Sequence, residues 1–188
     1  MTKKRNIKGR IARAAVYSRT LTRVKHYRGA GVHSPFVYGV IRNAIMKHSP
    51  EGDHALFDEL RARGFSKRRA AQLQNLYTFH SYTSAPFAGR NADSGGNGHS
   101  ESNAATPELG PGTLCFAMPS LPEDDTLALA ERAKGTGCTL CIISPYGSRR
   151  RNRMANRLVA AHRHTSVDNR GFLLLFFNER LPKQHFKL

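Results

Sequence analysis

Acidic side chains are absent from the first fifty residues, where twelve Lys or Arg stand. That absence excludes a balanced, ion-paired surface for this region. Long apolar runs are also missing. Nothing approaches the ~20 residues that a helix needs to cross a bilayer. The opening "MTKKRNIKGRIARAAVYSRT" is charged but has no apolar centre, so a secretory signal is not expected. It is basic and amphipathic like a transit peptide, yet its apolar pattern runs on smoothly, which favours a folded helix. Cysteine is scarce: three residues, an odd number, provide no disulfide framework. A cytoplasmic location is the default expectation. There is no G-x-S-x-G, no H-E-x-x-H, no Walker loop and no RNA-recognition aromatic motif. Their absence argues against a nucleophile-elbow hydrolase, a zinc protease and a P-loop enzyme.

Positive charge dominates what is present. The 188 residues carry 30 Lys+Arg against 13 Asp+Glu, a formal net charge of +17, and 39% of them are hydrophobic. The excess favours polyanionic partners such as nucleic acid, or an anionic membrane surface, and a solvated basic face is the plainer alternative. Ile7, Ile11, Ala14, Leu21 and Val24 recur at helical spacing with Lys and Arg between them, which predicts a helix from about Asn6 to Arg28. Gly29 and Gly31 suit its stop. Ser34 and Pro35 suit the start of a second helix to about Lys47. A short helix is expected near 53–63, and another opens at Ser66 with Leu73, Leu76, Tyr77 and His80 on one face.

Between Thr83 and Gly112, twenty-three of thirty residues are Gly, Ser, Asn, Pro, Thr or Ala. Such a stretch offers too little apolar surface to offset its ordering entropy, so it reads as a flexible linker. The last third alternates. "TLCFAM" and "CTLCIIS" read as buried strands, with a helix after Pro122 between them. "SRRRNRMANRLVAAHR" reads as a helix with Met154, Leu158 and Val159 turned inward. "HTSVD" and "GFLLLFFNE" are two more strands. The short connection between them requires an antiparallel pair. Strand–helix alternation means a layered α/β sheet. The expected organisation is a basic helical region over 1–82, the linker over 83–112, and an α/β unit over 113–188.

Several stretches invite a site. "RGAGVHSPF" (28–36) holds a G-x-G, but Ser34 stands at the third glycine position of a dinucleotide loop and a helix precedes it, so a helix–helix joint is favoured. His33 beside Ser34 is no nucleophile–base pair by adjacency alone. Cys138 and Cys141 form a C-x-x-C inside a strand, where residues three apart point to opposite faces, which favours two core cysteines over a redox or metal pair. Glycine-rich "SGGNGHSES" (94–102) follows no strand. Tyr77, Phe79 and Tyr82 are able to stack on bases, although core packing is the simpler role. Arg149, Arg150, Arg151 and Arg153, with Arg157, open a helix after a strand's carboxyl end, where α/β sheets bind ligands and helix N-termini bind phosphate. With Lys3, Lys4, Arg5, Lys8, Arg10 and Arg13 they are the candidate polyanion-binding residues.

"HSPFVYGVI" (33–41), set in a basic helical N-terminus, resembles the start of a family of small bacterial class I S-adenosylmethionine-dependent methyltransferases, which carry a Gly-x-His-Ser-Pro-Phe-Val element. "SVDNRGFLLLFFNERLPKQHFKL" (166–188) is similar to that family's closing strand pair and tail. "GTLCFAM", "TLCIIS" and the helices after them resemble strands four and five of its fold with their crossovers. The resemblance implies a truncated Rossmann-like methyltransferase sheet of about four strands, the last pair antiparallel, behind basic helices. It also implies S-adenosylmethionine as cofactor. The family's cofactor half, however, has an acidic residue and a glycine-rich turn after strand one and a second acid after strand two. The linker stands where strands one to three belong. "PELGPG" (107–112) only echoes the Glu-x-Gly turn, and Ser144-Pro145-Tyr146-Gly147 replaces the acid expected after strand five. No cofactor-binding or catalytic residue is therefore assigned. The expectation is a degenerate methyltransferase-like protein, not catalytic on its own. The alternatives are an active methyltransferase with an unusual pocket, a basic nucleic-acid-binding module, or a subunit whose exposed sheet edge a partner chain completes.

Overall fold

The computed structural model describes residues 32–89 and 107–188. The expected helix over 6–28, Gly29 and Gly31, the six basic candidates from Lys3 to Arg13 and the stretch 94–102 lie outside the described residues.

Helix α1 (Pro35–Val40) starts at the expected place. Ser34 Oγ accepts the Val37 N–H at 3.4 Å. Pro35 fits the first turn because its missing N–H has no helical partner there. A π-helical turn over Ile41–Ile45 prolongs the helix. Helices α2 (Ala55–Ala62) and α3 (Lys67–Phe79) follow, the latter capped by Ser66, whose Oγ accepts from the Arg69 N–H. Leu73 and Leu76 of α3 are fully buried as their spacing predicts, but Gln72, Gln74 and Asn75 are buried as well. Their amides satisfy backbone groups of the preceding segments. Gln72 donates to Ile45 O at 2.7 Å, and Gln74 accepts from Phe57 N at 3.0 Å. Asn75 accepts from Glu51 N at 2.8 Å and donates to Ser49 O at 2.9 Å. The loop between α1 and α2 is thereby stitched to α3 without secondary structure of its own.

The sheet comprises β1 (Phe87–Ala88), β2 (Leu114–Ala117), β3 (Thr139–Ile143), β4 (Thr165–Asn169), β5 (Phe172–Phe176) and β6 (Gln184–Lys187), in spatial order β1-β2-β3-β5-β4-β6. β1, β2 and β3 are mutually parallel. β5 is antiparallel to both β3 and β4, and β6 lies parallel to β4. Helix α4 (Glu123–Arg132) links β2 to β3, and α5 (Arg149–Ala161) links β3 to β4. Ser148 Oγ caps α5 by accepting the Arg151 N–H at 3.1 Å, an arrangement worth about 1 kcal/mol.

Two strands correct the expected count of about four. β1 is only two residues long and lies inside the stretch read as linker, too short to show alternation. Ser84 and Thr113, near that stretch's two ends, form a further parallel bridge. β6 is an edge strand in a polar tail and is mostly exposed, so no apolar pattern marks it. The antiparallel β4–β5 pair is as expected, although β6, not β5, is the last strand.

The sheet divides the core into two layers. Leu114, Phe116, Cys141, Val167, Phe172, Leu174 and Phe176 face α1–α3. Cys115, Ala117, Leu140, Ile142, Leu173 and Leu175 face α4 and α5. The alternation follows from the two-residue period of strands. Phe36 of the "HSPF" stretch meets Phe176 edge-on at 4.9 Å and lies 5.1 Å from the ring of His80. That stretch is thus a helix start whose aromatic ring pins the α-helical layer to the sheet.

His80 also lies 5.5 Å from Tyr82 and 5.9 Å from Phe176, ring to ring. Its Nε2 is buried without a hydrogen-bond partner among the described residues, and burial lowers its pKa to about 4. His162 is buried against Phe177, with its Nε2 3.2 Å from Thr165 O. Burial lowers its pKa to about 4 too, against the opposing effect of that carbonyl. An unfolded histidine titrates near 6.5, so the unfolded chain binds more protons than the folded one between about pH 6.5 and 4. Stability is then complete above about pH 6.5 and declines as pH falls towards 4. Urea unfolding midpoints at about pH 7 and about pH 5 are expected to differ, with a smaller drop in His80→Phe. Equal midpoints in the native chain would show that neither ring is held neutral.

Candidate functional site

Open α/β sheets bind ligands beyond the carboxyl ends of their strands, in the crevice where the strand order reverses. Among the described residues the parallel strands β1 to β4 show no such reversal, and only the antiparallel β5 steps back, to lie between β3 and β4. The steps β1 to β2, β2 to β3 and β3 to β4 all run in one direction across the sheet. Both crossover helices consequently pack on one face, and the other face is covered by α1–α3, which precede the sheet.

The carboxyl edge itself is closed by an arginine. Arg151 sits in the first turn of α5 with its guanidinium turned back under the helix. It donates to Ile143 O at 2.8 Å, Ser144 O at 3.3 Å and Pro119 O at 3.2 Å. It thus ties the end of β3 to the loop after β2. Burial lowers its pKa from the ordinary value, with Glu123 opposing, and a guanidinium remains charged regardless. On the β1 side, Gly89 has φ +102°, and a Cβ there would stand 2.9 Å from Ser120 Oγ and 3.1 Å from Leu121 N. The chain leaving β1 therefore runs tightly against the loop after β2.

The arginine run thus separates into distinct roles. Arg150 is exposed and paired with Glu123 at 2.7 Å, and that hydrogen bond raises its pKa. Arg149 and Arg153 are exposed. Arg151, a sequence candidate for polyanion binding, spends its guanidinium on the three carbonyls. One run supplies two outward cations, one ion-paired cation and one structural clamp.

Beside that edge, Asp168 of β4 is fully buried. Tyr146 donates its hydroxyl hydrogen bond to Asp168 Oδ2, and Arg170 N–H donates to Oδ1 at 3.0 Å. The carboxylate joins the loop after β3 to the β4–β5 turn, where Arg170 has φ 42°. In that turn a Cβ on Gly171 would fall 2.7 Å from Arg69 Nε, so a side chain there would push the guanidinium off the backbone it lies over. A cavity of ≈ 430 Å³ is lined by Ser84, Ala85, Pro86, Glu108, Leu109, Gly110 and Thr113. It opens at the amino ends of β1 and β2, opposite to the edge where α/β ligands bind.

The cysteines behave as the strand argument requires. Cys141 faces the α1–α3 layer and Cys138 the α4–α5 layer, and all three cysteines are buried as free thiols. Burial pushes Cys115 up to about 12, and Cys138 and Cys141 upward as well, which leaves them un-ionised and inert. No group of three or more His, Cys, Asp or Glu suited to a metal occurs among the described residues. His33 is exposed, and Ser34 is occupied in capping α1. Tyr82 is held inward by its hydroxyl, 2.6 Å from Thr139 Oγ1; Tyr77 lies 6.2 Å from it and packs against the same core. Phe79 is 40% exposed. No helix among the described residues is long and apolar enough to cross a membrane. The Arg151 clamp, the α3 amides and the Asp168–Tyr146 pair escape sequence reasoning, because each joins groups distant in the chain.

Comparison with protein-family models, curated proteins and solved structures finds no match for the chain.

Replacing Arg151 by Ala is expected to lower stability by about 2 kcal/mol, since charge-assisted hydrogen bonds are lost and the part-buried carbonyls of Ile143 and Ser144 lose their guanidinium partner. Arg151→Lys should not restore it, because one ammonium does not reproduce the planar fork. Arg153→Ala, on the exposed face, should stay within about 0.5 kcal/mol of the native chain. Urea unfolding checks all three, and equal effects of the Arg151 and Arg153 substitutions would refute the clamp.

Proposed function

We propose that this chain is a methyltransferase-like α/β module that does not catalyse methyl transfer on its own and acts by binding a polyanion, with nucleic acid as the partner class. The observation that carries this reading is the one-directional winding of the parallel strands β1 to β4 among the described residues, with Arg151 drawn across their carboxyl edge. A nucleotide-like cofactor needs a crevice at a strand-order reversal and backbone groups free to meet it. Here the carbonyls at the ends of β3 and of the loop after β2 are already engaged. The antiparallel β4–β5 pair supports the resemblance to class I methyltransferases, which expects an antiparallel closing pair. The formal charge of +17 supports the polyanion.

Titration calorimetry of the full chain with S-adenosylmethionine is expected to give no binding heat; micromolar affinity would overturn the non-catalytic reading. Gel-shift titrations with nucleic acid are expected to give binding that weakens steeply as salt rises, because phosphate contacts release counterions. A missing shift, or one indifferent to salt, would refute the polyanion.

A further inference from the structure

We infer that the outward face of α5 is a docking surface for the phosphate backbone of a nucleic-acid duplex, read without regard to sequence. The inference rests on the polyanion reading above and narrows it to three side chains and one partner geometry.

The inward face of α5 is set by Met154, Ala155 and Leu158, all buried, and Arg151 turns inward beside them to its carbonyls. Arg149, Arg153 and Arg157 are exposed. They follow one another at four-residue intervals, so they lie along one side of the helix as neighbours. None of the three has an ion-pair or hydrogen-bond partner among the described residues, in contrast to Arg150, which Glu123 neutralises. Glu123 and Asp124, at the start of α4, act on Arg150, so the partner is expected to approach from the side away from the start of α4. At the far end, Lys183 Nζ reaches the Ala160 carbonyl at 3.0 Å and adds positive charge where the helix carbonyls would repel phosphate.

From Arg149 to Arg157 the helix rises about 12 Å. A DNA duplex carries one charge per about 1.7 Å of its axis, so several phosphates come within reach of the stripe. Single strands are held chiefly by aromatic platforms on which bases stack. The face of α5 has no aromatic residue. Among the described residues, the exposed large apolar side chains, Tyr38 and Phe79, belong to α1 and α3 in the opposite layer. A stripe of cations without stacking groups suits a backbone, and a backbone alone carries no base sequence.

The experiment measures affinity of the full chain across a salt series for three probes of equal length: a DNA duplex, an RNA duplex and a single-stranded DNA. The native chain is compared with the triple variant Arg149→Gln, Arg153→Gln, Arg157→Gln, with the corresponding triple lysine variant, and with Arg150→Gln. On duplex DNA, loss of three phosphate contacts should make the slope of log K against log salt shallower by about 2.7. The triple lysine variant should keep the native slope, and Arg150→Gln should change it little. Scrambling the duplex sequence should leave affinity unchanged, and a preference between the DNA and RNA duplexes identifies which backbone is the partner. A triple glutamine variant that binds duplex with the native slope would overturn the α5 surface while leaving the polyanion reading intact. Tighter binding of the single strand than of either duplex would overturn the duplex assignment. Failure of the native chain to bind any probe at low salt would instead remove the polyanion reading itself.

Discussion

Strand β5 is hydrogen-bonded along both edges and buried on both faces, and the arrangement of the remaining elements depends on that position. It runs antiparallel between β3 and β4, so the crossover through α5 must pass over it to reach β4. Its five residues, Phe172 to Phe176, are all apolar and all buried. Alternate side chains enter the two core layers, which gives the strand a share in both. A central strand tolerates neither a polar side chain nor an unsatisfied backbone group, because no water reaches it. Phe176 also receives the ring of Phe36, so β5 sets where the first helix sits as well as where the sheet closes.

Around that apolar centre, a few polar side chains hold irregular backbone in place. The amides of Gln72, Gln74 and Asn75 meet backbone groups between Ser49 and Phe57 and at Ile45. Arg151 does the same for the strand ends. Both devices are costly if half-satisfied and rigid when complete. Arg151 has a functional consequence, too: carbonyls engaged by a guanidinium are not available to a ligand. Among the described residues, the closed edge lies in a sheet whose parallel strands β1 to β4 are laid down in one direction, with only β5 stepping back between β3 and β4.

Charge is partitioned by the same geometry. Arg149, Arg150, Arg151 and Arg153 look equivalent as a run of basic residues. The turn of α5 sends Arg151 into the sheet edge, places Arg150 beside Glu123, and leaves Arg149 and Arg153 pointing to solvent. A basic run is therefore a poor measure of how many cations a partner meets. The number depends on which residues the core and the neighbouring helix have already engaged.

Much of the fold was legible because it is written in local patterns. Ser34, Ser66 and Ser148 mark helix starts through capping chemistry within three residues of themselves. The apolar runs at Leu114, Leu140 and Leu173 mark buried strands, and the spacing of Cys138 and Cys141 puts them on opposite faces through the pleat alone. The short gap between β4 and β5 requires them to be antiparallel. β1 and β6 were not legible, since two residues show no period and an exposed edge strand shows no apolar pattern. Nor were the strand order and the role of Arg151. Its carbonyl partners lie seven, eight and thirty-two residues away. The sequence by itself determined the helices, the four apolar strands and the excess of positive charge, because all follow from neighbouring residues. Only the tertiary structure decided which strands adjoin and which arginines remain at the surface, because those depend on backbone groups brought together from distant parts of the chain.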